Sequence, residues 1–520
     1  MTDSERVFKA AQDGNLEKLK QILNRKQCSL KNISNTVNTY HAEEENFVTT
    51  PLGIAAKRGH NECVKFLIEE CWADVDGVID NNQQQQEECD YFPPLWCAAA
   101  NNHLDVVMSL VIQGANIDII VPHTGETPLR AACFAANLDI VKYLVHLRAD
   151  VEIADKSGLT CLMLACRMGL TDIVKCLVND AYADINKRDD RGSTALLCAT
   201  ESRKLECVEF LFNQGAKLDV VDSFGNTPLS NAILSNGSFH IVQFLMRNVN
   251  KEKQIDALEL LGAMSVKNND FPQAVYFWKK ALNDRLQNFL PHNKKVLQYS
   301  PLATAFDNSF KEFTTEEQLD AIKENPYQML MQSLIITERI LGPTNPRYAF
   351  NIKQLSKKYE NINLSVCLNF LICYAEIMQT LDCLSSESLQ AFSEILKLNI
   401  LNGEFYQKKL IHVFKISVDY IEREIIFLKN VKTLSSEEKK IFDNSLFIPL
   451  YLIGIITNDL QFFSPNDCNE IKTIIKRLLN LNPKTISNGY TLPQLACISN
   501  NSKYGVIFPN KNIITALLLA

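Results

Sequence analysis

The stretch that decides the fold is Gly125-Glu-Thr-Pro-Leu-Arg-Ala-Ala-Cys-Phe-Ala-Ala-Asn-Leu-Asp-Ile-Val-Lys-Tyr-Leu-Val145. Thr127 can cap a helix, because a threonine hydroxyl accepts one of the unpaired backbone N–H groups of the first turn. Pro128 stands at the first helical position, where its missing N–H costs nothing. Asn137-Leu-Asp139 predicts a tight turn. A second helix follows, with its apolar face at Ile140, Val141, Leu144 and Val145.

This helix–turn–helix unit recurs along the chain at a nearly constant spacing. The residue after the capping threonine, or its equivalent, recurs in steps of 33, 34 and 33 residues at Pro128, Cys161, Ala195 and Pro228. Pro94 lies 34 residues before Pro128, and Pro51 lies 43 residues before Pro94. A period of about 33 residues built on Thr-Pro-Leu is typical of ankyrin arrays. With a capping unit at 7–23, the sequence predicts an array of about seven repeats over residues 1–249.

Two further segments follow the array. Over residues 250–482 the Thr-Pro-Leu marks disappear, but 255–262 and 274–282 show apolar residues at helical spacing, with small residues at tight contacts. This pattern is typical of tetratricopeptide-like helix pairs. Residues 483–520 begin like another ankyrin repeat and end in an apolar helix without a cap. Because repeat arrays need polar ends, either something else covers this terminal helix or the natural protein continues, and we favour a longer natural sequence. The predicted class is an all-α solenoid: ankyrin repeats, a tetratricopeptide-like middle domain and the start of a C-terminal ankyrin set.

Length, charge and cysteine usage exclude several classes of protein. The 520 residues exceed one compact core, and the net charge of −7 comes without the basic clusters that nucleic acid requires. Sixteen cysteines are scattered without a Cys-x-x-Cys motif, and no signal peptide is visible. We therefore expect reduced thiols in a cytoplasmic or nuclear protein. No uninterrupted 18-residue apolar run predicts a membrane span.

The sequence offers no catalytic arrangement. A Gly-x-x-x-x-Gly-Lys phosphate loop, a Gly-x-Ser-x-Gly elbow and a His-Glu-x-x-His zinc helix are all missing. His60 and His103 fall at the turns between the two helices of their repeats, where a structural role is expected. We therefore predict a protein that is not an enzyme and has no cofactor and no metal site.

The groove-facing positions of the repeats suggest a binding surface. In ankyrin repeats the residue after Thr-Pro-Leu faces the concave groove, as does the residue one helical turn later. Trp96, Arg130 and Phe134 occupy such positions on adjacent repeats, so their side chains should converge within about 10 Å. An arginine can hold a carboxylate through two hydrogen bonds, and aromatic rings bury apolar or cationic side chains. The alternative is that Trp96 and Phe134 only pack between repeats. We consider this alternative weaker, because we expect that Arg130, which lies between the two rings in sequence, gains nothing from burial in a core.

The long connection at 73–93 is acidic and Gln-rich. Such a loop is either filler without fixed structure or an acidic wall for a basic ligand. For the run 83–86 we favour filler. Asp74-Val-Asp-Gly77 lies close to the repeat body, and for this segment we give filler and an acidic wall for a basic ligand nearly equal weight.

Five motifs, each modest alone, occur in a specific order: Pro94–Ala99, Thr127–Phe134, Leu138–Val145, Ala257–Ala263 and Glu338–Pro343. In that order, with a tetratricopeptide-like middle, they resemble the Fem (feminisation) family over nearly the whole chain. The resemblance implies a substrate receptor of a cullin-RING ubiquitin ligase whose ankyrin groove binds C-terminal degrons, often ending near or at arginine. In that family elongin and cullin bind a box after further ankyrin repeats. We expect those partners only of a longer form.

The resemblance also implies site residues. The family's Trp, Arg and Phe match Trp96, Arg130 and Phe134, and the acidic residue of its Phe-Asp-Gly element matches Asp76. Glu126 stands where the family has Ser, so that a carboxylate is gained there. We expect Asp76 and Glu126 to select a positive charge on the peptide.

Two other positions depart from the family. Ala135-Ala136 stands where the family has Asp-Gly, so a carboxylate that would pair with a degron arginine is lost. Asp190-Arg191 stands where one branch carries a reactive His-Cys pair, so that thiol chemistry is not expected. The groove is predicted to be kept, and its preferred terminal residue stays open.

Two functions from different classes remain open. The first is recognition of C-terminal degrons for ubiquitin transfer. The second is a scaffold that joins proteins without a ubiquitin role and is indifferent to a free C-terminal carboxylate. The sequence also leaves open whether the middle domain binds a further partner or forms a homodimer.

Overall fold

The computed structural model describes residues 2–23, 36–44, 47–77, 91–122, 124–235, 238–288, 300–306, 309–359, 362–380, 404–430, 446, 449–450, 452–453, 456, 464–481, 483–484 and 491. The chain divides into two compact units, Met1–Ala257 and Leu258–Ala520. Most of the Gln-rich insert and nearly all of the expected C-terminal ankyrin segment at 483–520 lie outside the described residues. The middle domain's predicted start at residue 250 stays a prediction.

The first unit consists of short helices in pairs, with one small hairpin. Its elements are α1 (Asp3–Gln12), α2 (Leu16–Leu23), β1 (His41–Glu44), β2 (Phe47–Thr49), α3 (Pro51–Arg58), α4 (Asn61–Glu69), α5 (Pro94–Ala100), α6 (Leu104–Ile112), α7 (Pro128–Phe134), α8 (Leu138–His146), α9 (Cys161–Met168), α10 (Thr171–Asn179), α11 (Ala195–Glu201), α12 (Leu205–Asn213), α13 (Pro228–Leu234) and α14 (Phe239–Arg247). The all-α class predicted from the sequence is confirmed.

The first helices of the repeats begin where the capping threonines predict. The hydroxyl of Thr127 accepts a hydrogen bond from the backbone N–H of Arg130 at 3.2 Å, and Pro128 occupies the first helical position. The same cap recurs at Thr50, Thr160, Thr194 and Thr227. Each cap satisfies an N–H that the helix itself leaves unpaired.

Side chains at the turn between the two helices join neighbouring repeats. Nε2 of His60 lies 3.1 Å from the carbonyl oxygen of Gln12, and Nε2 of His103 lies 3.1 Å from that of Lys57. Asn137 continues the series by donating to the carbonyl oxygen of Ala99 at 2.8 Å. The predicted structural role of the two histidines is confirmed.

A second series of hydrogen bonds joins the loops between repeats. In each bond a side-chain oxygen of one loop accepts the backbone N–H of the next, over 2.8 to 3.0 Å, in the pairs Asp76–Asn116, Asp118–Asp150, Glu152–Asp184 and Asn186–Lys217. Backbone groups that the short loops cannot pair internally are thereby satisfied. We call this series the loop ladder.

A hairpin stands in the long connection between the cap and the second repeat. β1 and β2 are antiparallel, and Val48 of β2 forms a parallel bridge with Tyr91. The N–H of Phe92 donates to the carbonyl oxygen of Val48 at 3.0 Å, and the Thr49 hydroxyl donates to that of Phe92 at 2.9 Å. The segment just before the third repeat is therefore fixed on the hairpin.

The second unit is also helical. Its elements are α15 (Lys251–Lys267), which begins before the boundary, α16 (Phe271–Gln287), α17 (Pro301–Ala305), α18 (Glu316–Ile322), α19 (Pro326–Leu341), α20 (Pro346–Tyr359), α21 (Leu364–Thr380), α22 (Glu404–Asn430) and α23 (Pro465–Leu481).

The predicted tight contact between the first two helices of this unit is present. Gly262 of α15 lies against the fully buried ring of Trp278 in α16, and a Cβ at Gly262 would stand 2.3 Å from Nε1 of the indole. That Nε1 donates to the carbonyl oxygen of Glu259 at 2.9 Å. The small residue is therefore required by a close approach of the two helices.

Charged side chains are buried in pairs within the second unit. Arg285 and Arg339 both contact the carboxylate of Glu259, and Arg339 also binds Glu312 at 3.1 Å. Glu338 accepts the hydroxyl of Ser300 at 2.5 Å and a backbone N–H of α17 at 3.2 Å. Buried charges are tolerated when they are paired and hydrogen-bonded in this way.

Candidate peptide-binding groove

Trp96 and Arg130 occupy the same position of neighbouring repeats. Each is the third residue of the first helix of its repeat, and the two helices, α5 and α7, pack side by side. Phe134 is the last residue of α7 and is 66% exposed. The helix positions of Trp96 and Arg130 therefore match, and the convergence of the three side chains within about 10 Å stays a prediction.

The structure corrects one expectation about Arg130. Its side chain is buried, Nη1 donates to the carbonyl oxygen of Leu159 at 2.8 Å, and Nη2 lies 2.5 Å from Oδ2 of Asp155. The expectation that Arg130 gains nothing from a core is therefore wrong, because the guanidinium joins its own repeat to the turn that opens the next. Both terminal nitrogens have an acceptor within the protein.

Asp155 is held as a carboxylate by several donors. Burial by itself raises the pKa of Asp155, but hydrogen bonds from Ser157 and Leu159 and the charge of Arg130 outweigh burial, so the pKa is lowered. Oδ1 accepts the N–H of Ser157 at 2.9 Å and that of Leu159 at 3.0 Å. The charge of Arg130 is consequently balanced by a fixed anion.

Two N–H donors in this part of the groove have no acceptor. Nε1 of Trp96 and Nε of Arg130 are shielded from solvent, and neither has a hydrogen-bond partner among the described residues. An unsatisfied buried donor costs about 1–3 kcal/mol, so native structures rarely keep one without a reason. Because both nitrogens are shielded from solvent, a ligand oxygen reaches them only after the surrounding side chains shift, and the two new hydrogen bonds would then stabilise the shifted arrangement.

Trp96 ends a line of aromatic rings that the sequence did not reveal. The ring centroids of Phe47 and Phe92 are stacked 4.8 Å apart, and those of Phe92 and Trp96 lie 4.5 Å apart. Nζ of Lys57 lies 3.7 Å from the centroid of Phe47. We call Phe47, Phe92 and Trp96 the aromatic row. The sequence signal was weak: two phenylalanines lie just before helix starts, outside the repeat pattern.

The two acidic residues predicted for the site differ in their surroundings. Oδ1 of Asp76 accepts the N–H of Asn116 at 2.8 Å as the first member of the loop ladder. Burial raises the pKa of Asp76, and the bond from Asn116 partly offsets the rise. The carboxylate of Glu126 is half-buried and has no hydrogen bond or ion pair among the described residues. Selection of a positive charge by either residue stays a prediction.

Burial holds two thiols of the first unit, those of Cys71 and Cys198, in their protonated form. Burial raises the pKa of Cys71 to about 12 and that of Cys198 to about 11. Since the thiolate is the reactive form, these buried cysteines pack as small apolar residues. Within the part of the chain that the structure describes, no group of three or more His, Cys, Asp or Glu side chains could hold a metal ion. None of the described helices is long and apolar enough to cross a membrane.

Comparison with known proteins agrees with this architecture. A family model described as ankyrin repeats (3 copies) matches residues 7–121, 77–155, 95–189 and 182–257. The first unit is therefore an ankyrin-repeat array of the kind that binds other proteins.

The relatives identify the family. Protein fem-1 homolog A-like of Mus musculus is 30% identical over 98% of this chain and 84% of its own length. Protein fem-1 homolog A of Rattus norvegicus is 30% identical over 90% of this chain and 78% of its own length. A fem-1 homolog of Drosophila melanogaster reaches 37% over 75% of this chain and 57% of its own. The chain belongs to the Fem-1 family, as the motifs predicted.

Proposed function

We propose that the ankyrin groove binds the C-terminal segment of partner proteins and that Trp96 and Arg130 receive the terminal carboxylate. The observation that carries this proposal is the pair of buried N–H donors without acceptors, Nε1 of Trp96 and Nε of Arg130. A carboxylate has two oxygens and about four lone-pair sites, so it can accept from both donors at once. Hydrogen bonds to a charged acceptor are about twice as strong as neutral ones.

The surroundings of the two donors suit a chain end. The charge of Arg130 is balanced by Asp155 at 2.5 Å. The guanidinium therefore acts on a peptide carboxylate mainly through its Nε–H hydrogen bond and only weakly through its net charge. Phe134 is 66% exposed on the same helix and offers apolar surface for the terminal side chain. Glu126 and Asp76 supply the negative charge that would favour a basic residue in the peptide.

The wider proposal follows from the Fem family. We propose that the chain is the substrate-recognition subunit of a cullin-RING ubiquitin ligase, acting in the cytoplasm or nucleus. Its share of the reaction is to hold the C-terminal degron of a target, and it needs no catalytic residue of its own. Elongin and cullin would be bound by a longer form of the chain.

A test compares fluorescent peptides that carry a free C-terminal carboxylate with the same peptides as amides. We expect the free acids to bind more tightly. The Trp96→Phe variant keeps an aromatic ring but removes the Nε1 donor, and should weaken the free acid by about 1.5–3 kcal/mol, the range for hydrogen bonds to charged groups, while weakening the amide less. Phe239→Ala, on the exposed side of α14, is a matched control that should change neither. Equal binding of acids and amides would contradict the proposal.

One observation favours the second function, a scaffold that binds the side chains of a partner protein along the groove. Both terminal nitrogens of Arg130 already have acceptors, Leu159 and Asp155, so they are not available for the bidentate contact with a ligand carboxylate that the sequence predicted. A scaffold would bind acids and amides equally and lose affinity in small steps along many repeats. The same peptide comparison therefore separates the two functions.

A further inference from the structure

Two of the three rings of the aromatic row come from outside the repeats, and only Trp96 lies on a repeat helix. Phe47 belongs to the hairpin strand β2, and Phe92 lies between the insert and α5. Two hydrogen bonds, of 3.0 and 2.9 Å, tie the backbone of Phe92 to Val48 and Thr49. Although all three rings of the row are large and apolar, each is only partly buried. The hairpin thus adds a fixed, partly exposed aromatic surface beside the two unpaired donors.

The length of the row fits a short extended peptide. An extended chain advances about 3.3–3.6 Å per residue and places every second side chain on the same face. The centroid steps of 4.8 and 4.5 Å therefore keep Phe47 fewer than three extended residues away from Trp96. A peptide whose terminal residue lies at Trp96 and Arg130, and which runs from there toward Phe47, places the side chain two residues before its end along the row.

The arrangement of the row determines which side chains it accepts. Phe92 contacts both Phe47 and Trp96, and Nζ of Lys57 lies 3.7 Å from the centroid of Phe47. A basic side chain of the peptide cannot take the position that Lys57 occupies. The faces that Phe47 and Phe92 turn toward each other are covered by their stacking, so their ring edges carry a larger share of the contact with a peptide, and such edges pack against aliphatic and aromatic groups and carry a weak positive potential.

We propose that the aromatic row is a second subsite of the groove, which selects a leucine-like or aromatic side chain two residues before the peptide's C-terminus and rejects lysine or arginine there. This inference rests on the proposed function, because it takes the carboxylate to lie at Trp96 and Arg130. It adds a specificity determinant supplied by the hairpin rather than by the repeats.

The experiment uses the full chain and three free-acid peptides that differ only in having leucine, alanine or lysine at that position. We expect wild-type protein to prefer leucine over alanine by about tenfold, since burying a leucine side chain is worth more than a factor of ten. Lysine should bind no better than alanine. Phe47→Ala should lower the leucine preference to about twofold or less, and Phe47→Leu, which retains apolar bulk, covers the case in which the alanine variant does not fold. Phe239→Ala should keep the full preference.

The outcomes separate this inference from the proposal beneath it. If wild-type protein distinguishes acids from amides but binds the leucine and alanine peptides equally, the second subsite is refuted and the carboxylate site stands. A leucine preference that survives unchanged in both Phe47 variants also refutes it, because the peptide would then leave the donors in another direction. Failure of every free-acid peptide to bind would refute both.

Discussion

The ion pair between Arg130 and Asp155 allows a direct test of what holds neighbouring repeats together. The perturbation is Asp155→Asn, which keeps an oxygen for the N–H groups of Ser157 and Leu159 but removes the charge that faces Arg130. The buried guanidinium, whose side chain is 7% exposed, is then left without its counter-charge.

The magnitude follows from the burial of the two partners. Removing one partner of a buried ion pair costs about 3–5 kcal/mol. Because the Asp155 side chain is 18% exposed and the Nη1 bond to Leu159 remains, we take the low end, about 3 kcal/mol of the free energy of unfolding. Arg130→Met in the Asp155→Asn background removes the orphaned charge as well, and should recover part of the loss.

The assay is urea unfolding followed by circular dichroism, with amide hydrogen exchange to localise the change. The matched control is Asp189→Asn, since Oδ1 of Asp189 accepts the N–H groups of Arg191 and Ser193 in the equivalent turn one repeat later. If Asp155→Asn costs no more than Asp189→Asn, or the double variant is no more stable than Asp155→Asn alone, then Asp155 does not stabilise the buried charge of Arg130.

Two further predictions concern pH and one glycine. Because the pKa of Asp155 is lowered on folding, its carboxylate adds stability above the unfolded-chain pKa of about 4, and this contribution is lost as the pH falls through the lowered folded value. In Asp155→Asn the free energy of unfolding should therefore fall less steeply as the pH is lowered below about 4. Gly59→Ala should destabilise by more than about 1 kcal/mol, since Gly59 has φ of 76° and an added Cβ would stand 2.4 Å from the His103 ring; thermal unfolding that matches wild type would contradict this.

The helices of the first unit could be predicted because their signals are local. A capping threonine, a proline at the next position and a repeat of about 33 residues all act within one turn or one unit. The roles of His60 and His103 were also predictable, since their place at the turn recurs with the repeat. In the second unit the tight contact at Gly262 followed from the same kind of local pattern.

The parts that could not be predicted depend on contacts between distant residues. Arg130 is buried because Asp155, in the turn that opens the next repeat, supplies a counter-charge, and nothing in the first-helix pattern specifies that partner. The aromatic row requires the hairpin to pair with Tyr91 across a long connection. Glu338 and Arg339, part of one family motif, turn out to hold helices of the second unit together, with Ser300 and Glu312 among their partners. Motif residues can therefore mark architecture instead of a binding site.

The burial of Arg130 changes how the groove would recognise a ligand. A solvent-exposed arginine loses side-chain freedom when it binds a carboxylate, and this loss offsets part of the gain. Here Asp155 and Leu159 already fix the guanidinium through its two terminal nitrogens, so the direction of the Nε–H bond is set before any peptide arrives, although Nε itself is shielded from solvent until the groove opens. The ion pair that stabilises the repeat stack would then also preorganise the site. Asp155→Asn tests this, because it loosens the guanidinium but also removes the charge that neutralises it. Weaker binding of the free-acid peptide, with the amide unaffected, would show that preorganisation dominates, and tighter binding of the free acid would refute this role by showing that the peptide carboxylate replaces Asp155 as the counter-charge.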